Sequence, residues 1–474
     1  MSPDTIHGAV ARRTAAAPDA VAIVHGEERV TYADLDRASN AHAAALRARG
    51  VRPGDFVPVL LPRGPRLIAV LLGVLKTGAA YAALDRRWPR PRVDTVTAAL
   101  GARLVVDEDW DCSAAGSTGF TPVAVSPADA ASVFFTSGST GEPKGVVSPH
   151  RGATRLFGAA YADFGGGVLQ AAPVPWDAHT IEVWGPLTSG GTVVVAEGDY
   201  LMPDDLRAAV KDGADTAFLT TSLFNLFVAE DPGCFTGLRQ LLTGGEAASV
   251  PAFAGFLAAH PGIALVHCYG PVEATGFTTA HRITPADLDV PTGIPIGSPV
   301  PETGVHVLDG EICVSGAGLA LGYLGHDDLT ATAFPTVDID GRPTRVYRTG
   351  DHGFLDGDGV LHFQGRRDRQ VKIAGHRIEP GEVEAAVRGV PGVRECAALP
   401  VPDAHGGHST LALFYLADDG GPEPRALRRE LTARLPRYLV PGVIRREDAL
   451  PLNTNGKLDR ARLLDALTAQ ARQE

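Results

Sequence analysis

The sequence is short of several things, and each shortage removes a class of function. Positive charge is in the minority: 43 Lys and Arg stand against 55 Asp and Glu, a formal net charge of −12. A chain that mainly grips a nucleic-acid backbone needs a basic surface, so nucleic acid is not an expected partner. Cysteine is sparse and scattered, at Cys112, Cys234, Cys268, Cys313 and Cys396. The number is odd and no Cys-x-x-Cys pair occurs, so neither a disulfide framework nor a zinc site is expected. No apolar run approaches the roughly 20 residues that cross a bilayer. The opening stretch MSPDTIHGAVARRTAAAPDA also lacks the apolar core of a signal peptide. No membrane partner is expected, and a cytoplasmic location is. There is no internal repeat and no long low-complexity segment.

What is present is an ordinary globular composition, with 474 residues, 45% hydrophobic and 21% charged. That length is a soft prior for about three domain-sized units. Gly (55) and Pro (36) are plentiful, which implies many turns. Apolar runs and helical patterns alternate. Helices are expected around His7–Ala17 and Tyr32–Arg49, with a hairpin between them about Gly26-Glu27-Glu28. Thr31 stands before the second helix as an N-cap. Strands follow at Phe56–Leu61, Leu104–Val106, Ser132–Phe135, Thr192–Ala196, Thr216–Leu219, Leu238–Thr243 and Ala264–Cys268, with helical patterns among them. Strand, helix and strand in succession predict a doubly wound parallel sheet.

The run SVFFTSGSTGEPKGVVSPH, Ser132–His150, organises the rest. Val133-Phe134-Phe135 reads as a buried strand. After it come Thr136, Ser137, Gly138, Ser139, Thr140 and Gly141, then Lys144. Glycines let backbone N–H groups approach an anion, hydroxyls add donors, and Lys144 adds charge. This is phosphate-holding chemistry, but not the common P-loop, because the Gly-Lys-Ser/Thr ending is missing. On composition alone such a loop is as readily a flexible turn. Further on, Asp177 opens a helical pattern in which Ile181, Trp184 and Leu187 share a face. A carboxylate there is as readily a helix cap. TGGE (Thr243–Glu246) and CYGPVEAT (Cys268–Thr275) end two strands, where open α/β sheets build their sites. Composition changes after the charged run Arg366-Arg367-Asp368-Arg369. The last hundred residues read as a small α+β unit: helix Pro380–Arg388, strands Cys396–Val401 and Thr410–Leu416, helix Glu423–Leu435, and a tail.

TSGSTGEPKG, the Trp176-Asp177 pair, CYGPVE, YRTGD, GRRDRQVKIAGHRIE, LPRYLVP and NGKLDR occur in one order from about Thr31 to Arg460. In that order the chain resembles the adenylate-forming superfamily of acyl-CoA synthetases, luciferases and nonribosomal peptide synthetase adenylation domains, and the last most closely. The resemblance implies a large N-terminal domain, residues 1–367, of doubly wound α/β subdomains plus a small β-barrel. A small mobile C-terminal α+β domain, 368–474, would follow, turning on the hinge Asp368.

The implied reaction is activation of an amino acid by ATP and Mg²⁺ to aminoacyl-AMP and pyrophosphate. Transfer to the phosphopantetheine thiol of a carrier protein follows, in nonribosomal peptide or related biosynthesis. Two anions meet in the first step, so it needs cations and positioned donors more than a covalent nucleophile. By resemblance, Thr136, Ser137, Gly138, Ser139, Thr140, Gly141 and Lys144 hold phosphate. Gly245, Glu246, Tyr269, Gly270, Asp351 and Arg366 surround the nucleotide, with Tyr269 on the adenine and Asp351 on the ribose. Glu273 ligates Mg²⁺, a hard cation suited to oxygen, and Lys457 bridges carboxylate and phosphate. Asp177 binds the substrate ammonium. The side-chain pocket comprises Ala178, Ile181, Leu241, Thr243, Cys268, Gly276 and Phe277, with Phe224 or Asn225 loosely placed beside it. This mostly apolar lining leans to a small or medium aliphatic or lightly polar substrate. Lys372 to Gly375 line the way in for the pantetheine arm.

Three residues depart from the family pattern: Trp176 where Phe is usual, Val272 where Thr is common, and His267 where Asn is common. No carrier domain is seen. Gly406-Gly407-His408-Ser409 partly resembles a phosphopantetheine site but reads as a turn between strands, so the thiol comes from a carrier in trans or from the remainder of a synthetase. A small MbtH-type activator is compatible with the resemblance. The rivals are an acyl- or aryl-CoA ligase of the same fold and a non-catalytic binding module. Asp177 speaks against the first, since a buried carboxylate without an ammonium is costly. Joint retention of Lys144, Glu273, Asp351 and Lys457 speaks against the second. An aminoacyl-tRNA synthetase is disfavoured by charge and by the lack of its motifs.

Overall fold

The structure, a computed structural model, describes residues 4–113, 119–138, 142–157, 161–366, 368–403, 407–451 and 458–471. The chain divides into two compact units. One comprises Met1–Arg86, Thr97–Phe135 and Gly145–Arg367; the other comprises Arg87–Val96, Thr136–Lys144 and Asp368–Glu474. Among the described residues, no helix is long and apolar enough to cross a membrane.

The first unit is built on three sheets. The largest has nine strands, in the order Ser298–Pro299, Thr279–Arg282, Ala264–Tyr269, Gln240–Gly244, Thr216–Thr220, Gly167–Gln170, Thr192–Val195, Val21–His25 and Glu28–Thr31. Its inner strands are parallel and its edges antiparallel. The inner strands are rich in Val, Leu and Ile because both faces are covered. A second sheet carries Phe56–Val59, Ala80–Ala83, Ala130–Thr136, Lys144–Pro149 and Gly322–Tyr323. The unit expected as a β-barrel is a five-stranded antiparallel sheet. Arg342–Leu355 is its longest strand and pairs with Glu311–Gly316, Thr336–Ile339 and Leu361–Arg366.

The strand expected at Leu104–Val106 is absent. Val106 makes one isolated bridge to Val59, because the apolar run stops at Asp107 after three residues. The other expected strands of this unit are present within two residues of their bounds, and the hairpin about residues 26–28 joins Val21–His25 to Glu28–Thr31.

Helix Tyr32–Ala48 starts as its sequence requires. Thr31 Oγ1 accepts from Asp34 N at 3.1 Å and Asp34 Oδ2 accepts from Thr31 N at 3.4 Å, a reciprocal capping box. Lys76, from the LKTGAAY stretch, is buried with its ammonium 2.7 Å from Asp36 Oδ1, 2.8 Å from Ser39 Oγ and 2.7 Å from Asn40 Oδ1. Helices Tyr32–Ala48 and Pro65–Lys76 are thus tied to each other. Trp184, fully buried on helix Ala178–Ser189, donates to Tyr81 Oη at 2.8 Å and joins the core of Leu71, Leu75, Val183 and Leu187.

The second unit contains the hairpin Val371–Ile373/His376–Ile378 and a three-stranded sheet. In that sheet Val393–Pro402 is antiparallel to His408–Ala417, which lies parallel to Val443–Arg446. Side chains alternate along His408–Ala417. Leu411, Leu413 and Tyr415 pack with Val383, Val387, Leu427 and Leu431, while Ala412 and Phe414 pack with Leu399, Leu450, Leu463 and Leu467. The stretch read as a tail is therefore structured. It supplies the strand Val443–Arg446 and the helix Arg460–Ala471, whose Leu463 and Leu467 cover the sheet's second face. Of the Gly406–Ser409 stretch read as a turn between strands, residue 406 lies outside the described residues, and His408 and Ser409 begin the strand His408–Ala417, so Ser409 stands in a paired strand rather than at a helix start.

Candidate functional site

Asp177 precedes helix Ala178–Ser189 but does not cap it: its side chain takes no hydrogen bond from that helix. Its Oδ2 accepts instead from the N–H of Gly276, 99 residues on, at 3.2 Å. That N–H is available because the backbone turns left-handed twice in succession, with φ of +52° at Thr275 and +77° at Gly276. Gly276 adopts this conformation readily; a β-branched Thr does not. The sequence left Asp177 open as a helix cap or as an ammonium anchor, and the side chain does not make the cap bond. The approach to Asp177 is braced from below. The buried carboxylate of Glu182 accepts from Ala171 N at 3.0 Å and from Ala172 N at 2.9 Å. Burial pushes Glu182 up to about 8, so its proton stays on at neutral pH.

The wall facing Asp177 is set by strand alternation. Gln240–Gly244 and Ala264–Tyr269 run parallel with Leu242 opposite Val266 and Gly244 opposite Cys268. Leu242, Val266, Cys268, Ile181 and Phe277 form one buried cluster, with Leu156, Phe157, Tyr161 and Phe218 against it. Phe277 and Phe218 lie 5.6 Å apart, ring to ring. Burial pushes the Cys268 thiol up, so it stays protonated and acts as a small apolar group.

Leu241 and Thr243 do not belong to this wall. A one-residue offset along a strand moves a side chain to the other face. Leu241 accordingly packs among Phe224, Phe253 and Phe256, and Thr243 Oγ1 is buried with no hydrogen-bond partner. Phe224 sits in that opposite cluster, ring to ring with Phe235 and Phe253, and leaves the wall as well. Asn225 is its neighbour on the same helix, with a buried Oδ1. By that alternation Leu242 and Gly244 share a face with Val266 and Cys268; Leu242, Ile181, Cys268 and Phe277 lie in one cluster, Gly276 lies against Ile181, and Ala178 is the first residue of the helix after Asp177.

The nucleotide-side candidates gather at strand ends. Tyr269 closes Ala264–Tyr269 and donates its hydroxyl to Asp351 Oδ2 at 2.6 Å. Asp351 Oδ1 pairs with the Arg366 guanidinium on the neighbouring strand. Burial, then the adjacent Asp351 charge, raises Tyr269 well above the ordinary phenol range, so the phenol is a permanent donor. Glu273 follows in the loop after Gly270. Its side chain is buried, and Oε1 accepts from Tyr323 Oη at 2.8 Å. His267, on the strand face opposite Cys268, is buried with Nδ1 3.0 Å from the Pro295 carbonyl. The Glu246 carboxylate, after Gly245, takes the N–H of Ser222 at 2.9 Å and its hydroxyl, so it caps helix Thr221–Glu230.

Among the described residues no three His, Cys, Asp or Glu side chains cluster as a protein-built metal cage. A single hard carboxylate such as Glu273 fits Mg²⁺, which takes most of its ligands from substrate phosphates and water.

In the second unit, Thr136 is buried at the end of its strand with Oγ1 unpartnered, and Lys144 begins the next strand and is buried. Ser137 Oγ donates to the Arg377 carbonyl at 2.7 Å and accepts from Glu379 N at 3.1 Å. Gly138 N donates to Glu382 Oε2 at 3.3 Å, and Arg92 pairs with Oε1 of the same carboxylate at 2.6 Å. A Cβ at Gly138 would collide with the Glu142 carbonyl, so the loop needs glycine there. Asp368 Oδ1 accepts from Gln370 N at 3.2 Å. Lys372 to Gly375 form the hairpin whose turn residue Ala374 has a φ of +48°. Ser139, Thr140, Gly141 and Lys457 lie outside the described residues.

Arg155 was missed by the sequence reading. It is buried, and its guanidinium donates to the carbonyls of Ala274 at 2.8 Å, Thr275 at 3.1 Å and Phe277 at 2.7 Å, the loop that carries Glu273 and Gly276. The signal available was one arginine set directly before the apolar pair Leu156-Phe157.

Residues 10–118 and 107–324 match the family described as AMP-binding enzyme, and residues 382–457 match the AMP-binding enzyme C-terminal domain. The chain is 37% identical to malpibaldin synthetase of Mortierella alpina over 97% of its length. It is 34% identical to bacitracin synthase 1 of Bacillus licheniformis over 94% of its length. It spans only 9% of each of those two proteins. The fold is similar to that of holo-PA1221, an NRPS protein containing adenylation and PCP domains, solved with a vinylsulfonamide inhibitor. The TM-score is 0.87 at 34% identity, covering 98% of this chain and 84% of that one.

Proposed function

The chain belongs to the AMP-binding enzymes, and on that premise we propose that it activates an amino acid with ATP for a nonribosomal peptide synthetase pathway. In the first step a carboxylate oxygen of the amino acid attacks the α-phosphorus of ATP. The bond to the bridging oxygen breaks, and pyrophosphate leaves with the electron pair. In the second step a thiol of a carrier protein's phosphopantetheine attacks the acyl carbon and AMP departs. Both steps occur in the cytoplasm, where ATP is supplied.

The observation that carries the amino-acid reading is the Asp177–Gly276 contact of 3.2 Å. A carboxylate held by a backbone N–H that neighbours the apolar cluster of Ile181, Leu242, Cys268 and Phe277 supports a reading in which it meets an α-ammonium and the substrate side chain meets that cluster. Tyr269, Asp351 and Arg366 act on the nucleoside, and Glu273 is the residue that would hold Mg²⁺. Bound there, Mg²⁺ supplies charge neutralisation of the leaving pyrophosphate. Thr136, Ser137, Gly138 and Lys144, with Ser139, Thr140 and Gly141, hold phosphate, and Lys457 neutralises the meeting anions. Residues 1–367 and 368–474 act as two domains that reorient at Asp368 between the steps. The carrier and any MbtH-type activator are separate proteins or further parts of a synthetase. The similarity to NRPS proteins that join adenylation and PCP domains supports the carrier.

The test is substrate-dependent ATP–pyrophosphate exchange across α-amino, β-amino, aryl and fatty acids, with and without an MbtH-type protein. Exchange confined to amino acids is expected. Exchange confined to acids without an amine overturns the amino-acid reading in favour of a CoA-ligase activity.

A further inference from the structure

Arg155 presents an unusual electrostatic situation. Its guanidinium is buried, and among the described residues it forms no ion pair. Its Nη2 donates to the Ala274 and Phe277 carbonyls, its Nη1 to those of Thr275 and Gly152, and its Nε to Thr303 Oγ1 at 3.2 Å. A buried cation without an ion-pair partner is costly, so these carbonyl dipoles compensate it, with the Glu302 charge adding to them at longer range. The carbonyls of 274, 275 and 277 must therefore converge on one point. That convergence requires the left-handed turn at Thr275 and Gly276, a conformation that a β-branched residue adopts only when its surroundings impose it. Thr275 Oγ1 adds a bond to the Gly318 carbonyl at 2.8 Å, and Gly318 is bare because a Cβ there would strike the guanidinium. Burial lowers Arg155 only to about 10, so the clamp stays charged at neutral pH.

Two groups hang on the loop so shaped. The N–H of Gly276 meets Asp177, and Glu273, immediately before Ala274, presents its carboxylate beside Tyr323. Resting on the amino-acid reading above, we propose that Arg155 is a positioning residue that fixes the amino-acid subsite and the metal-binding carboxylate together. It does so by holding residues 273–277 in a single shape. It touches neither substrate; it acts through Gly276 on one side and Glu273 on the other.

The proposal requires the two sites to fail together. ATP–pyrophosphate exchange is measured for wild type, Arg155→Gln, Arg155→Lys and Gly318→Ala, using the amino acid that gives the strongest wild-type exchange. Amino acid, free Mg²⁺ and ATP are varied separately. Arg155→Gln is expected to raise both the KM for amino acid and the half-saturating Mg²⁺ by about tenfold, the size of one lost charge-assisted bond. The KM for ATP at saturating Mg²⁺ stays within about twofold, a gap too small to reflect such a bond. Arg155→Lys keeps the charge but loses the planar fork, and falls between. Gly318→Ala displaces the guanidinium with a methyl group and shifts the same two parameters in the same direction.

A purely structural role would lower the amount of folded enzyme and its melting temperature while leaving both parameters at wild-type values, and that result overturns the proposal. A shift in only one of the two parameters overturns it as well. If Arg155→Gln does not fold, Gly318→Ala decides by the same criterion. Absence of amino-acid-dependent exchange in the wild type overturns the underlying reading, and is seen before any variant is made.

Discussion

The hydroxyl of Tyr269 lies 2.6 Å from Oδ2 of Asp351 and donates to it, so the last residue of a parallel strand fixes a carboxylate 82 positions away. Arg366 holds the other oxygen, which leaves Asp351 oriented and its charge offset. Tyr269→Phe keeps the ring and removes this bond. Its expected effect is a rise of about three- to tenfold in the KM for ATP, with the amino-acid KM unchanged and a stability loss of about 1 kcal/mol. Initial-rate kinetics with each substrate varied, and urea unfolding, check both. An equal rise in the two KM values would remove Tyr269 from the nucleotide side.

Leu241 and Leu242 are both buried and adjacent in sequence, yet face opposite sides of the sheet. Leu242→Ala enlarges the wall beside Cys268 and is expected to shift preference toward bulkier amino acids, by about 1–3 kcal/mol between competitors. Leu241→Ala opens a cavity among Phe224 and Phe253, costs about 2–5 kcal/mol of stability and leaves the preference order unchanged. Exchange rates over an amino-acid panel separate the two variants.

This pair also shows where sequence reading stops. The alternation of the chain was readable because buried parallel strands are continuous apolar runs, and the helix at Pro380–Arg388 was placed to the residue. Which of two adjacent leucines faces the site was not readable, since a fully buried strand is apolar on both faces and carries no period-2 signal. The segment after Leu435 looked like a tail because its apolar residues are scattered among prolines and charges. The role of Leu463 and Leu467 appears only once the second face of the small sheet needs covering. Asp177 could be read as a cap or an anchor until its partner, Gly276, was known.

Glu182 makes stability depend on pH with a definite sign. Its folded pKa, about 8, lies above the ordinary 4.5 because burial penalises the charge. Its favourable contribution is therefore full below about 4.5 and is lost as pH rises through about 8, an effect on the order of a few kcal/mol at most. Between pH 5 and 9 the melting temperature of wild type should fall relative to that of Glu182→Gln. A constant difference across that range would show that Glu182 does not carry its proton in the fold.

Gly138→Ala forces a methyl group into the Glu142 carbonyl and must re-route the loop beside Ser137. A displacement of about 1 Å in a positioning element costs on the order of a hundredfold in rate. Exchange at saturating ATP should fall by that order, while circular dichroism shows a folded protein. Retained exchange would detach this loop from phosphate binding.

The most direct measurement of the central claim is amino-acid-dependent ATP–pyrophosphate exchange in wild type and Asp177→Ala, with the best amino acid and its des-amino analogue. Because Asp177 does not cap its helix, the expected stability cost of the variant is that of the lost bond from the Gly276 N–H, about 1–3 kcal/mol. Exchange with the amino acid should drop by about a hundredfold or more, as expected when one member of a desolvated ion pair is removed. Selection against the analogue should collapse as well. Undiminished exchange in Asp177→Ala, or wild-type exchange that is indifferent to the amine, would contradict the account.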